Sequence, residues 1–234
     1  MTPDLVYGRR AVREALRGRR EVLETWATER ALGAESWLAD AGPKQKLDRE
    51  LTERAGTRDH QGVLALVEPF RYADAYELAR ADRPLLAVLD RVTDPHNLGA
   101  VCRSAERAGA TGVVVPAHGS AVVTPAVARA SAGAVEHLPV AVVTNLARYL
   151  AEIKTGDLWI YGAAGDAGAT SMWEADLSGA LALVLGAEGK GLRPLVRRTC
   201  DALVSIPLAG EVESLNVSVA AAVLLYEARR QRIE

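Results

Sequence analysis

At 234 residues, with 49% hydrophobic and 25% charged, the chain can build one large or two modest domains around a sizeable core. A net charge of −2 gives no overall basic signature of a nucleic-acid binder, and no apolar run reaches the roughly 18–20 residues of a membrane helix. The 2 cysteines and 4 histidines are scattered without ligand spacing, which argues against a disulfide framework or a zinc site; no metal is expected.

The opening MTPDLVYGRR lacks the apolar centre of a signal peptide, and the isolated Cys102 and Cys200 suit a reducing cytosol, so a cytoplasmic location is expected. Residues 1–20 carry Arg9, Arg10, Arg13, Arg17, Arg19 and Arg20 against only Asp4 and Glu14. Such a cluster either tracks a phosphate backbone or forms a solvated helix face. GRRAVREALRG reads as a helix, VLETWAT as a strand, ESWLADAG and KLDRELTERAG as helices, and GVLALVEP as a strand. Residues 1–68 are thus a small α/β unit. Residues 69–83 are polar, lack a clear apolar period and read as a linker.

From Pro84 onward, short apolar strands alternate with helices. The strands are LLAVLD, GVVVP, LPVAVV, LWIYG, LALVLG and ALVSIPL. The helices include NLGAVCRSAERAG, VTNLARYLAEIK, RPLVRRTC and a last one, SLNVSVAAAVLLYEARRQR. This pattern predicts a mostly parallel sheet covered on both faces, with any ligand beyond the carboxyl ends of its strands.

Three segments follow strand ends. In LDRVTDPHNLGAVCRSAERAG, Asp94-Pro95 makes a turn and Asn97 is a candidate helix N-cap. Arg103 then falls two turns in, beside the apolar stripe of Leu98, Val101, Cys102 and Ala105, as an exposed edge residue or a functional one. The second segment, LVLGAEGKGLRP, is glycine-rich but fits neither the phosphate loop nor the G-x-G-x-x-G dinucleotide fingerprint, and Glu188 at its centre would repel a phosphate. Residues 90–100 hold only Gly99, which excludes a dinucleotide fingerprint after the first strand as well. In the third, SIPLAGEVESLNVSVAAAVLLYEARR, Ser214 would open an almost wholly apolar helix. Asn216 then falls inside it, a poor helix former needing partners if buried.

Together, DPHNLGAVCRSAERAG, LVLGAEGKGL and SIPLAGEVESLNVSVAAAVLLYEA resemble, in order, the three motifs of the SpoU-TrmH family of RNA 2′-O-ribose methyltransferases, within the knotted SPOUT class. The resemblance extends through VTNLARYLAEI and LWIYGAAGDA. YGRRAVREAL and DHQGVLALV are similar to the substrate domain of RlmB-type enzymes, while residues 20–56 are shorter and more divergent. The resemblance implies a trefoil-knotted α/β methyltransferase domain over 84–234 and a small RNA-binding domain over 1–68. It implies S-adenosylmethionine as cofactor, held by the main chain of Gly186, Ile206 and Leu215. That ligand is cationic and carries no phosphate, so an acid in its loop is no conflict. It further implies site residues Asn97, Arg103, Glu188, Ser214 and Asn216, a homodimer, and a guanosine of 23S rRNA as target. A tRNA guanosine or a resistance-type rRNA nucleotide is the alternative. Arg103 matches an arginine proposed to help deprotonate the 2′-OH. Because arginine stays protonated, an electrostatic role toward RNA phosphate and a developing alkoxide is the physically simpler expectation. Arg9, Arg10 and Arg13 are the candidate RNA contacts. A non-catalytic RNA-binding protein is the rival from another class.

Overall fold

The computed structural model describes residues 2–233 except 155, 156, 167, 188, 212 and 213. The chain divides into two compact units, one running to Arg71 and adding Val123–His137, the other comprising Tyr72–Val122 and residues from Leu138 onward.

The first unit contains β1 (Asp4–Tyr7), α1 (Arg9–Ala15), β2 (Val22–Ala27), α2 (Glu29–Ala34), α3 (Trp37–Ala41), β3 (Lys44–Gln45), α4 (Asp48–Ala55) and β4 (Val63–Val67). Its sheet has the order β1-β4-β2-β3, with β4 antiparallel to both β1 and β2. Trp26, Leu51 and Leu64 form a small core beneath it, and the Arg54 guanidinium lies 4.1 Å from the Trp26 ring centroid. His60 is buried; its Nδ1 accepts the Gly62 N–H at 3.0 Å, so the ring proton is on Nε2 and donates to Thr52 Oγ1 at 2.9 Å. The Val123–His137 segment brings in helix α7 (Pro125–Ala130) and a 3₁₀ turn at Ala134–Glu136. It is anchored by a buried ion pair: Arg20 donates from Nε and Nη2 to Glu136, at 2.9 and 2.5 Å, and from Nη1 to Asp4 at 3.1 Å. Glu14 adds a 2.9 Å contact to His137 Nε2.

The second unit contains α5 (Ala75–Ala79), β5 (Leu85–Asp90), α6 (Pro95–Ala108), β6 (Gly112–Pro116), β7 (Val140–Val143), α8 (Leu146–Ile153), β8 (Leu158–Ala163), β9 (Thr170–Ser171), β10 (Ala180–Gly186), α9 (Pro194–Thr199), β11 (Ala202–Ser205) and α10 (Val217–Ile233). Its seven strands have the order β7-β6-β5-β10-β8-β11-β9, and every registered pair is parallel. The six strands expected from Pro84 onward all form, each short and apolar because both faces of the sheet are covered. On one face Leu86, Val88, Val114, Ile160, Ala182 and Val184 pack with Tyr149, Leu150 and Ile153 of α8 and Val196 of α9. Burying each leucine-sized side chain contributes about 1.5–3 kcal/mol. The alternate residues serve the other face, where α6 and α10 pack together. From β5 the order runs outward through β6 to β7, then resumes on the other side with β10 and β8. The switch point therefore lies between β5 and β10, where a crevice opens beyond the carboxyl ends.

Candidate functional site at the strand switch point

Three chain turns meet at that crevice. The first leaves β5 at Asp90, a carboxylate with no exposed surface. It accepts the Arg193 backbone N–H at 2.8 Å and the Arg193 Nε–H at 2.6 Å, tying the end of β5 to the start of α9. Arg91 follows with a φ of 64°, in left-handed backbone. Helix α6 begins at Pro95, and its N-cap is Asp94, whose side chain accepts the His96 N–H at 2.8 Å. The expectation that Asn97 caps this helix is thereby corrected: proline at the first helical position moves the boundary upstream, and Asn97 lies in the first turn.

The second turn follows β10. Gly191 N–H donates to the Ala187 carbonyl at 2.9 Å, and the two residues form a local antiparallel bridge. This folds Gly191 back onto Gly186, where an added Cβ would lie 2.2 Å from the Gly191 carbonyl carbon. Gly186 is required by that close approach of backbone to backbone. At Gly189 and Gly191, both at positive φ, a Cβ would meet nothing within 4 Å, so the loop presents bare main chain. Glu188 lies outside the described residues.

The third turn runs from β11 to α10. The last helix starts at Val217, two residues or more later than its sequence suggests, and Asn216 precedes it. Asn216 Oδ1 accepts from Ser218 N–H at 2.8 Å and Ser218 Oγ–H at 2.6 Å, capping the helix in the way asparagine favours. Asn216 is exposed, so the expected burden of a buried asparagine does not arise. Its Nδ2 donates to Asn97 Oδ1 at 3.0 Å. The structure thus joins two of the expected site residues across 119 positions of sequence.

A cavity of about 610 Å³ opens here, lined by Arg91, Asn97, Ala187, Lys190, Arg193 and Val217 among others. Ser214 and Leu215 are exposed just before α10, while Gly186 and Ile206 are partly buried at or just past strand ends. Arg103 is exposed and makes no ion pair among the described residues; it flanks the buried stripe of α6 on a different side from Asn97. Cys102, fully buried beside it, has its thiol pushed up to about 12 by desolvation and is inert. Of the N-terminal arginines, Arg9 pairs with Glu35 at 3.2 Å, whereas Arg10 and Arg13 are exposed without an ion pair among the described residues. Asp90, Arg91 and Arg193 escaped sequence reasoning. The available signals were a carboxylate ending an otherwise apolar strand and an arginine directly before a helix-opening proline.

A parallel sheet with a crevice at its switch point, lacking both phosphate fingerprints, defines an α/β fold with a candidate ligand site beyond the carboxyl ends of β5 and β10. The chain belongs to the SpoU rRNA Methylase family, which residues 84–226 match; residues 5–73 match the RNA 2′-O ribose methyltransferase substrate binding family. It is 41% identical to the 23S rRNA (guanosine-2′-O-)-methyltransferase RlmB of Vibrio vulnificus, over 100% of this chain and 99% of the relative. It is 51% identical to RlmB of Pseudomonas syringae, over 74% of this chain and 71% of that one. Among solved structures, an RNA 2′-O ribose methyltransferase superposes with a TM-score of 0.85 at 33% identity, covering 100% of this chain and 90% of the other. The SpoU methyltransferase AviRb of Streptomyces viridochromogenes, in complex with AdoMet, superposes with a TM-score of 0.80 at 28% identity, covering 99% and 91%.

Proposed function

We propose that this chain methylates the ribose 2′-OH of a guanosine in 23S rRNA, with S-adenosylmethionine as donor. The observation that carries the reading is the meeting of Asn97 and Asn216 beside a bare glycine loop, at the switch point of a chain of this family. The protein is an S-adenosylmethionine-dependent RNA methyltransferase. The cofactor, when bound, supplies a methyl group on a cationic sulfonium. The side-chain-free backbone at Gly189 and Gly191 suits such a ligand, and Gly186, Ile206 and Leu215 would hold it through their main chain.

The chain's own residues then position the nucleophile. The Asn97–Asn216 hydrogen bond fixes the start of α6 against the start of α10. Arg103, with a permanent charge not consumed by any ion pair among the described residues, orients an RNA phosphate and stabilises the developing alkoxide. Ser214 and Glu188 complete the polar set in this reading. Residues 1–68 select the RNA, through Arg10 and Arg13 and a smaller part from Arg9, which is already paired with Glu35. Residues 69–83 connect them to the methyltransferase domain at 84–234. A cytoplasmic location belongs to this reading and is supported by action on ribosomal RNA.

The homodimer of this reading is supported by α10. Val217, Ala221, Leu224, Leu225 and Ala228 are buried, while the opposite side shows Val219 at 47% and Tyr226 at 49% exposure. An apolar stripe on each side of one helix calls for a second partner surface. Scattering at micromolar concentration should give a dimer, and Val219→Glu with Tyr226→Glu a monomer. The trefoil knot belongs to the same reading. It is implied by the family, and the packing of α10 on α6 and β10 is compatible with it. Incubating the purified protein with labelled S-adenosylmethionine and unmodified 23S rRNA, then mapping 2′-O-methyl sites, tests the activity. A single methylated guanosine is expected. Methylation confined to tRNA or to another rRNA nucleotide reassigns the target, and no transfer to any RNA overturns the reading.

A further inference from the structure

Arg91 is not explained by the fold. It is one of four non-glycine residues at positive φ among the described residues, and its 64° places an ordinary side chain in the left-handed region that costs conformational energy. Such a residue persists where its surroundings over-determine it, and these positions cluster at functional sites. Arg91 lines the crevice cavity and is exposed at its rim. It lies beside Gly119, in the loop after β6: a Cβ built there would be 3.6 Å from Arg91 Nε. That loop is itself fixed by the 2.8 Å bond from Ala121 N–H to the Val92 carbonyl. The adjacent carboxylate, Asp90, is buried and committed to Arg193, and Arg91 forms no ion pair among the described residues. Among the described lining residues, Arg91, Lys190 and Arg193 face a single carboxylate, Asp94. The rim therefore carries an exposed cation with no ion-pair partner among the described residues.

We propose that Arg91 grips a phosphodiester of the RNA substrate at the mouth of the crevice, setting the register of the strand whose ribose enters it. Two oxyanions could meet it, an RNA phosphate or the cofactor carboxylate. Exposure favours the polymer, which arrives from solvent. The inference rests on the reading of the chain as an RNA methyltransferase, and it gives Arg91 a positioning role.

The test uses the full chain, an unmodified 23S rRNA transcript and S-adenosylmethionine. Binding is measured from 50 to 200 mM salt, with cofactor affinity measured in parallel. Arg91→Gln should weaken RNA binding by about five- to tenfold and flatten the log–log salt dependence by about 0.7, the share of one phosphate contact on single-stranded RNA. Arg91→Lys should keep the wild-type slope. Arg91→Gly should raise Tm by relieving the backbone while losing RNA affinity as Arg91→Gln does, a split that a purely structural arginine would not give. Cofactor affinity should stay within about twofold in all three, since a change at an exposed rim residue leaves the glycine loop intact. Wild-type RNA affinity and slope in Arg91→Gln would overturn the proposal, as would a lowered Tm in Arg91→Gly. A parallel loss of cofactor affinity overturns it in favour of the cofactor carboxylate. If the wild-type protein transfers no methyl group to the transcript, the functional reading and the proposal both fall; if it does, only the role of Arg91 is at stake.

Discussion

Removing the Asp90 carboxylate should loosen the glycine loop before it unfolds the protein. Asp90 has no exposed surface and accepts two hydrogen bonds from Arg193, one from its backbone N–H at 2.8 Å and one from Nε at 2.6 Å. Breaking a buried ion pair from one side costs about 3–5 kcal/mol. Here the Arg193 side chain is 39% exposed, so water can solvate its abandoned charge, and the figure must be reduced. What remains is an orphaned backbone donor at about 1–3 kcal/mol plus a small cavity. Asp90→Ala should therefore cost about 2–3 kcal/mol in urea unfolding. Asp90→Asn keeps one acceptor oxygen where the carboxylate uses both, so its NH2 meets an Arg193 donor and the cost should again be about 2 kcal/mol. Arg193→Ala removes the guanidinium but keeps the backbone donor. A double-mutant cycle of the two alanine variants thus isolates the guanidinium arm, with an expected coupling of about 1–2 kcal/mol. Because Arg193 anchors the far end of the loop that starts at Gly186, cofactor affinity measured by calorimetry should fall by about tenfold in Asp90→Ala, a loss of about 1.4 kcal/mol. A stability change under about 0.5 kcal/mol with unchanged cofactor affinity would show that the pair does not hold the loop.

Arg103→Ala should cost under about 0.5 kcal/mol in stability, as an exposed residue, yet slow single-turnover methylation by about a hundredfold or more; a near-wild-type rate would leave it a surface residue. Arg103→Lys should recover little, because the planar fork is lost along with its geometry. Gly186→Ala should destabilise by about 3 kcal/mol and abolish measurable cofactor binding, since the new Cβ collides with Gly191 backbone that has no flexible end to yield; thermal unfolding and calorimetry report both. Cys102 gives a pH dependence. Its folded thiol pKa is raised from 9.0 to about 12, so the unfolded chain ionises first as pH rises, and stability is lost between about pH 9 and 12. At pH 10 the loss specific to Cys102 is about 1 kcal/mol, which unfolding of Cys102→Ala against wild type at pH 8 and pH 10 should reveal.

The sheet was legible because its strands are buried on both faces and therefore read as uninterrupted apolar runs. LLAVLD and LALVLG became β5 and β10, and the prediction of a ligand beyond their carboxyl ends placed the crevice. Short elements were less visible: β1 has four residues, and α7, PAVARA, is too brief to show a period, although Thr124 and Pro125 were a proper cap and first position. Helix ends failed for a related reason. An asparagine at a cap and one in the first turn look alike in sequence, so Asn97 and Asn216 were each misplaced by a few residues. Long-range pairing was not accessible at all. Asp90 meets Arg193 across 103 positions, and Arg20, which counted as one more member of a basic cluster, is spent on Glu136 across 116. The main-chain cofactor contacts proposed for Gly186, Ile206 and Leu215 rest on the motif resemblance, since such contacts would leave no side-chain signature.

The return of Val123–His137 to the first unit has a consequence for how such a protein can be recombined. The buried partner of Arg20 is encoded more than a hundred codons downstream, in the half of the gene that carries the methyltransferase motifs. A chimera whose new first 71 residues lack an arginine at the position of Arg20 would leave a Glu136 carboxylate with no exposed surface and no cation to meet it, a mismatch worth several kcal/mol. Exchange of the whole first unit between relatives therefore requires a second exchange, bracketing residues 123–137, besides that of the leading segment. Lineages that trade the leading segment alone should carry compensating changes at Glu136, His137 or both.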